Sequence, residues 1–296
     1  MSTNFKAHAA VLTANLIYGA NYLIAKEVMP EYLEPFAFIA LRVSVAAVIF
    51  LALAYFLVKE KKVERKDKRM LLICAVFGVA TNQLLFFKGL SITTPINAAL
   101  MMTTNPVLVL LLAAVILKEK ISLSKISGIV LGISGALTLI LFGREFHYKD
   151  STLLGDAMVF LNSLAFGLYL VLVKPLVQKY HPLTVMKWVY MFGIFMVWPF
   201  GFNEVSQTNF STFPPEIWLG IAYVIIAVTV IAYTLNIFGL LKLSPSTVST
   251  YIYSQPAFAT LFSIIFGKDH PNLLHLLAAV LIFSGVYLVS RPSNAR

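Results

Sequence analysis

The sequence predicts an all-α membrane protein of ten transmembrane helices, built from two inverted five-helix repeats with both termini cytoplasmic. Three observations predict it. Apolar residues make up 59% of the 296 and charged residues 12%, more apolar surface than one soluble core could hide. Apolar runs of roughly 20 residues, the length that crosses about 30 Å of hydrocarbon, follow one another with short breaks. The stretch 89–140 also returns, without a gap, at 239–290. Gly89 meets Gly239, Pro95 meets Pro245, Pro106 meets Pro256, Lys118 and Glu119 meet Lys268 and Asp269, and Ser134-Gly135 meets Ser284-Gly285. Eleven of the 52 positions are identical. The weight rests on the matched prolines, glycines and charged pair, because these break or end helices at equivalent points. A repeat this long is no solenoid unit; it divides the chain into units 1–146 and 147–296, the duplicated halves of a membrane protein.

Taken in order, the spans are 7–25, 35–58, 70–90, 95–117 and 124–142 in the first half, then 153–173, 183–202, 217–241, 246–266 and 272–290 in the second. With the N-terminus inside, 17 Lys and Arg fall on the cytoplasmic side, among them the cluster 59–69, against five outside, with Arg42 inside a span. That asymmetry orients the chain. Five spans per half is odd, so two halves of one pattern enter the membrane from opposite sides. Such an inverted repeat supplies two related states by exchanging the roles of its halves, the basis of alternating access. The N-terminal stretch lacks a signal-peptide cleavage pattern, so the first apolar run is read as a retained span.

Polar groups inside spans mark the candidate site, since each costs free energy unless hydrogen-bonded or wetted. In the fourth span Asn97, Met101 and Asn105 lie at i, i+4 and i+8, one helix face. Their counterparts in the ninth are Thr247, Tyr251 and Gln255. Two such faces read as two walls of one central cavity; the alternative is amides that only tie neighbouring helices. Asn105 and Gln255 each precede a proline, so a local break is expected there. The third span adds Asn82, Gln83 and Phe86, matched in the eighth by Tyr233 and Asn236. Tyr18, Asn21 and Tyr22 surround Gly19 in the first, with Asn15 a turn before; the sixth carries Asn162, Ser163, Phe166 and Tyr169 around Gly167. Aromatic faces interleaved with amides suit a small amphipathic solute.

Charged candidates are fewer. Arg42 either snorkels to the outer headgroups or attracts an anionic group. Glu119 and Asp269 close the fourth and ninth spans as salt-bridge gates or anchors, and Asp156 comes nearest to an embedded carboxylate. The Gly128, Gly132, Ala136 stripe of the fifth span serves close packing inside one half, or a dimer contact. Its counterpart, Ala278, Ile282 and Val286, is bulkier. A net charge of +10 sits in loops, so it orients the chain rather than binding nucleic acid. Cys74 is the only cysteine, and His8, His147, His181, His270 and His275 lie in loops or near span ends. No zinc spacing, phosphate loop or nucleophile-base pair appears, so no metal, cofactor or catalytic residue is expected, and an intramembrane enzyme or a receptor-like scaffold is the lesser reading.

Several features together resemble the drug/metabolite transporter superfamily, in particular its EamA-type ten-span permeases. They are Tyr18-Gly19-Ala20-Asn21, Pro35 with Arg42, Asn105-Pro106, Lys118-Glu119 followed by Gly128 and Gly135, and the second-half echo ending in Ser284-Gly285. The resemblance spans nearly the whole chain. It implies a basket-like cavity lined by the first, third, fourth, sixth, eighth and ninth spans, and export of amino acids or similar metabolites across a bacterial plasma membrane. The expected partners are a small-molecule substrate and the bilayer; a monomer suffices and a dimer is compatible with it. An antiporter of nucleotide sugars or phosphorylated solutes is the transport alternative, but it calls for several cations at mid-membrane, and Arg42 is the clear one.

Overall fold

The computed structural model describes residues 3–59, 62–93, 95–142, 153–265, 270 and 272–291. The first half runs through α1 (Thr3–Val28), α2 (Pro35–Leu57) and α3 (Arg65–Ala75), which passes by a π-helical segment (Val76–Thr81) into α4 (Asn82–Ile92). It ends with α5 (Pro95–Met102), α6 (Asn105–Ile116) and α7 (Leu123–Phe142). The second half runs through α8 (Leu153–Lys179), α9 (Pro182–Gln207) and α10 (Pro215–Tyr223), which passes by a π-helical segment (Val224–Ala232) into α11 (Tyr233–Leu240). Then come α12 (Pro245–Thr250), a 3₁₀ turn (Tyr251–Tyr253), α13 (Ser254–Ile265) and α14 (Leu273–Ser290). Among the described residues eight helical stretches are long and apolar enough to cross a membrane. The first and ninth expected spans coincide with α1 and with α12–α13.

Helix is what this composition can form in lipid, where each backbone N–H and C=O must be paired within its own segment. The sides confirm the solvent: Val115, Phe195, Leu219 and Leu276 are all more than 60% exposed, which is unfavourable in water and favourable against acyl chains. Four prolines sit where they do no harm, while Pro175 and Pro199 lie inside α8 and α9. Pro35, Pro182, Pro215 and Pro245 open their helices, where the missing N–H has no partner to lose. The Ser244 hydroxyl caps α12 by accepting from the Thr247 N–H at 3.2 Å, and the Asn272 amide oxygen caps α14 by accepting from His275 at 2.9 Å.

The breaks echo at the repeat distance of 150 residues. Pro106 follows the turn at Thr103 and Thr104, and Pro256 follows the 3₁₀ turn at 251–253. Neither proline can donate to the preceding turn. Within these turns hydroxyls bond back to the backbone: Thr103, Thr104 and Ser254 each donate to the carbonyl three residues back, at 2.6 to 2.7 Å. The two π segments also fall at equivalent places, an irregularity that the sequence does not announce.

Packing exchanges the halves. α2 lies along α9 and α7 along α14; α4 packs on α8 as α11 packs on α1, and α6 on α8 as α13 on α1. Each half therefore completes the other. The small-residue stripe of α7 belongs to this seam, neither to the inside of one half nor to a second molecule. A Cβ on Gly128 would stand 2.6 Å from the Gly285 carbonyl oxygen, and one on Gly132 would run into the Tyr253 ring. The bulkier α14 stripe, with Ala278 and Ile282 fully buried, fills the space that the α7 glycines leave.

Candidate functional site

A cavity of about 110 Å³ lies between the halves. α1 contributes Asn15, Tyr18 and Asn21, α2 contributes Arg42, and α8 contributes Asn162 and Phe166. α4 gives Asn82, Gln83 and Phe86 directly after the first π segment; α11 gives Tyr233 and Asn236 directly after the second; α13 gives Gln255. An inserted π turn shifts the helix phase, so here it sets which side chains after it face inward.

The amides pair across the halves. Asn82 donates to Asn162, and the Tyr233 hydroxyl donates to Asn82 at 3.4 Å. Asn236 donates to the Tyr18 hydroxyl at 3.2 Å, and Gln255 to the Asn15 oxygen at 2.8 Å. Tyr18 and Tyr233 meet edge to face at 6.3 Å. Each such bond is worth about 1 kcal/mol. Not every group is used: the Asn21 side-chain oxygen and both amide atoms of Gln83 are buried without a hydrogen bond of good geometry. Leaving a buried polar atom unmet costs about 1–3 kcal/mol.

Arg42 is buried in the protein. It is 3% exposed, donates through Nε to the Thr229 hydroxyl at 3.1 Å, and lies 5.1 Å from the centroid of the Phe87 ring. The Thr229 hydroxyl spends its own proton on the Val224 carbonyl, a bond five residues back that the π turn makes.

A second cavity, about 680 Å³, adjoins the first and shares Phe87, Met102, Ile252 and Gln255 with it. Its walls run to Ala25 and Pro35, to Ser91 and Thr93, and to Ala259 and Thr260, so it opens at the end where α1 finishes. The other end is tied. Glu119 pairs with Lys125 and accepts from the Ser246 hydroxyl at 3.0 Å. Lys174 donates to the Leu240 and Leu243 carbonyls, and His8 meets the Tyr251 hydroxyl at 2.8 Å. Accordingly α6 packs on α12, whereas the equivalent pair, α13 and α5, is parted by the larger cavity.

The expected residues sort as follows. Tyr18, Asn21, Arg42, Asn82, Gln83, Phe86, Tyr233, Asn236 and Gln255 come together at the smaller cavity. Met101, Asn105 and Tyr251 line neither cavity. The i, i+4, i+8 face assumed one continuous helix, and the turns at 103–104 and 251–253 break its phase. Met102 faces the cavities instead; Asn105, fully buried, donates to the Ser163 carbonyl at 2.6 Å and so ties α6 to α8; Tyr251 belongs to the tied end. Asn97 donates to Asp156 at 3.1 Å, beside the Thr93 hydroxyl. The side chain of Tyr22 and all of Asp269 lie outside the described residues. Asn15, Asn162 and Phe166, named in the sequence as amides and a ring within spans, also line the smaller cavity, and Met102 is a cavity residue that the sequence reading does not name.

The profile of the EamA-like transporter family matches twice, over residues 5–141 and 153–291. The chain belongs to the EamA-like transporter family. Relatives of this transporter include the uncharacterized transporter YyaM of Bacillus subtilis (strain 168), 26% identical over 95% of this chain and 92% of its own. Another is the probable terminal-alkyne amino-acid exporter of Streptantibioticus cattleyicolor, 26% identical over 86% and 84%. A solved crystal structure superposes with a TM-score of 0.77 at 17% identity, covering 96% of this chain and 97% of the other, a likeness of fold. The transporter is thus a multi-pass membrane protein of a family whose named relatives are transporters.

Proposed function

We propose that this transporter is a secondary carrier exporting amino acids or similar small solutes across the bacterial plasma membrane by alternating access. The observation that carries the reading is the inequality of two equivalent helix pairs: α6 on α12 closes one end, while α13 and α5 stand apart around the larger cavity. A carrier with inverted halves needs this, since exchanging the two arrangements moves the opening from one side to the other. In this reading α1 and α12–α13 join the eight long apolar stretches as spans, making ten. Residues 1–146 and 147–296 are the inverted units, and both termini are cytoplasmic, as the distribution of Lys and Arg favours. Aromatic rings and amides around the smaller cavity suit a zwitterion with an apolar body, and an amino-acid exporter stands among the named relatives. A nucleotide-linked or phosphorylated solute fits less well, since Arg42 is the one cation on the smaller cavity's wall among the described residues.

Counterflow in proteoliposomes tests this. Vesicles preloaded with a mixture of neutral amino acids are expected to show saturable exchange with labelled members of the same set, and Asn82→Ala to slow it about tenfold, the loss of one polar contact of about 1.4 kcal/mol. Correctly inserted protein that exchanges none of them would sink the amino-acid reading.

A further inference from the structure

Arg42 poses a problem of charge. The residue is 3% exposed, yet among the described residues no Asp or Glu forms an ion pair with it. One of its five N–H groups is used, on Thr229. A buried cation without an anion is expensive, and the Phe87 ring offsets only part of that. The cost is tolerable if the anion arrives with the solute.

We infer that Arg42 is the anchor for a carboxylate on the transported solute, so that the carrier takes monocarboxylates and rejects the corresponding amides and amines. The inference rests on the carrier reading in taking the smaller cavity as the solute site. Three features select the chemistry. A guanidinium offers two parallel N–H donors that match the two oxygens of a carboxylate. A single cation on the cavity wall balances one negative charge, which argues against phosphate. The groups nearby complete the match: Gln83, 2% exposed, lies beside the Tyr233 hydroxyl without a hydrogen bond of good geometry, and the Asn21 oxygen, likewise without one, can take an N–H such as that of an amino group. Phe87 connects this pocket with the larger cavity, so the solute would lie carboxylate inward with its body toward the opening.

The test uses purified full-length protein in detergent and reads the thermal unfolding midpoint against concentration of phenylacetate, L-phenylalanine, phenylacetamide and phenethylamine. The two carboxylates are expected to raise the midpoint of the wild type, and the amide and amine to leave it unchanged. Arg42→Gln should abolish the response. Arg42→Lys keeps the charge but loses the paired donors, so it should raise the half-saturating carboxylate concentration about tenfold; it carries the test if Arg42→Gln folds poorly. An equal response to phenylacetamide, no response to either carboxylate, or an unchanged response in Arg42→Lys would overturn the anchor. Flux in proteoliposomes separates the two readings. A wild type that moves phenylacetamide as fast as phenylacetate remains a carrier without this anchor. Protein stabilised by carboxylates through Arg42 that moves nothing keeps the anchor and loses the carrier.

Discussion

The α6–α12 contact and the α13–α5 gap are built from the same repeated sequence, yet one is sealed and the other is open. On the sealed side the chain after α6 turns through Lys118, whose φ of 56° lies in the left-handed region. A side chain there costs roughly 1–2 kcal/mol. The turn lets the Glu119 N–H bond back to the Ala113 carbonyl and brings its carboxylate between Lys125 and Ser246. Across the gap, Ala99 and Met102 of α5 face Ala259 and Thr260 of α13, small or apolar groups with no charge among them. The lesson is that a shared helix plan does not fix which end closes. In this structure a few polar ties hold the closed end.

The largest effect should come from the part that both arrangements share. α7 and α14 cross with Gly128 and Gly285 face to face, and a Cβ on Gly285 would lie 2.5 Å from the Gly128 carbonyl oxygen. That neighbour is backbone and cannot turn aside. Gly285→Leu should therefore cost about 3 kcal/mol or more, and should cut both the yield of monodisperse protein and its thermal midpoint. A variant as stable as the wild type would mean that the seam can slide, and the comparison would lose its fixed frame.

Next in size is the latch itself. Glu119→Gln removes the ion pair to Lys125, both partners of which are mostly buried, but keeps a group able to meet Ser246. The tied end should open more often while the fold stays intact. Ser249 is fully buried and lines the smaller cavity, so a cysteine there, with Cys74→Ala as background, reports on access. With Glu119 present, an impermeant maleimide should reach it only from the side on which α1 ends. In Glu119→Gln, labelling from the side on which α1 begins should rise about tenfold, equivalent to about 1.4 kcal/mol in the opening equilibrium. Labelling that stays one-sided would mean that Glu119 does not hold this end.

Much of this was legible in the sequence, for reasons that also mark the limits. Long apolar runs and prolines 150 residues apart give the helices and their breaks, because hydrocarbon leaves the backbone few alternatives. Tyr18, Asn82 and Gln255 stand out because amides and phenols are costly in such runs. The π segments were not legible: Val76–Thr81 and Val224–Ala232 are ordinary apolar stretches, and nothing in them marks an extra residue in a turn. Met101 and Tyr251 fall outside both cavities for a related reason. A proline tells where a helix is interrupted, but not by how much its phase turns.

The smallest effect is expected at a tie that looks strong on distance alone. The Lys179 ammonium lies 2.6 Å from both Glu64 and Asp67, joining the start of α3 to the end of α8 and so, like Glu119, bridging the halves at the sealed end. Its setting differs in the cation: the Lys179 side chain is 40% exposed and that of Glu64 50%, with only that of Asp67 at 15%, whereas those of Lys125 and Glu119 are both mostly buried, at 11% and 14%. Water and salt screen the outer pair, and holding a long lysine in place costs side-chain entropy. Hydrogen bonds from Lys179 and then Lys66 hold the Glu64 carboxyl below its usual range. Its contribution is therefore present above the ordinary carboxylate range and is lost as pH falls through that lowered value. Lys179→Met should leave the thermal midpoint at neutral pH and the sidedness of Ser249→Cys labelling unchanged. If it opens the sealed end as Glu119→Gln is expected to, burial is not what distinguishes a latch from a surface contact here.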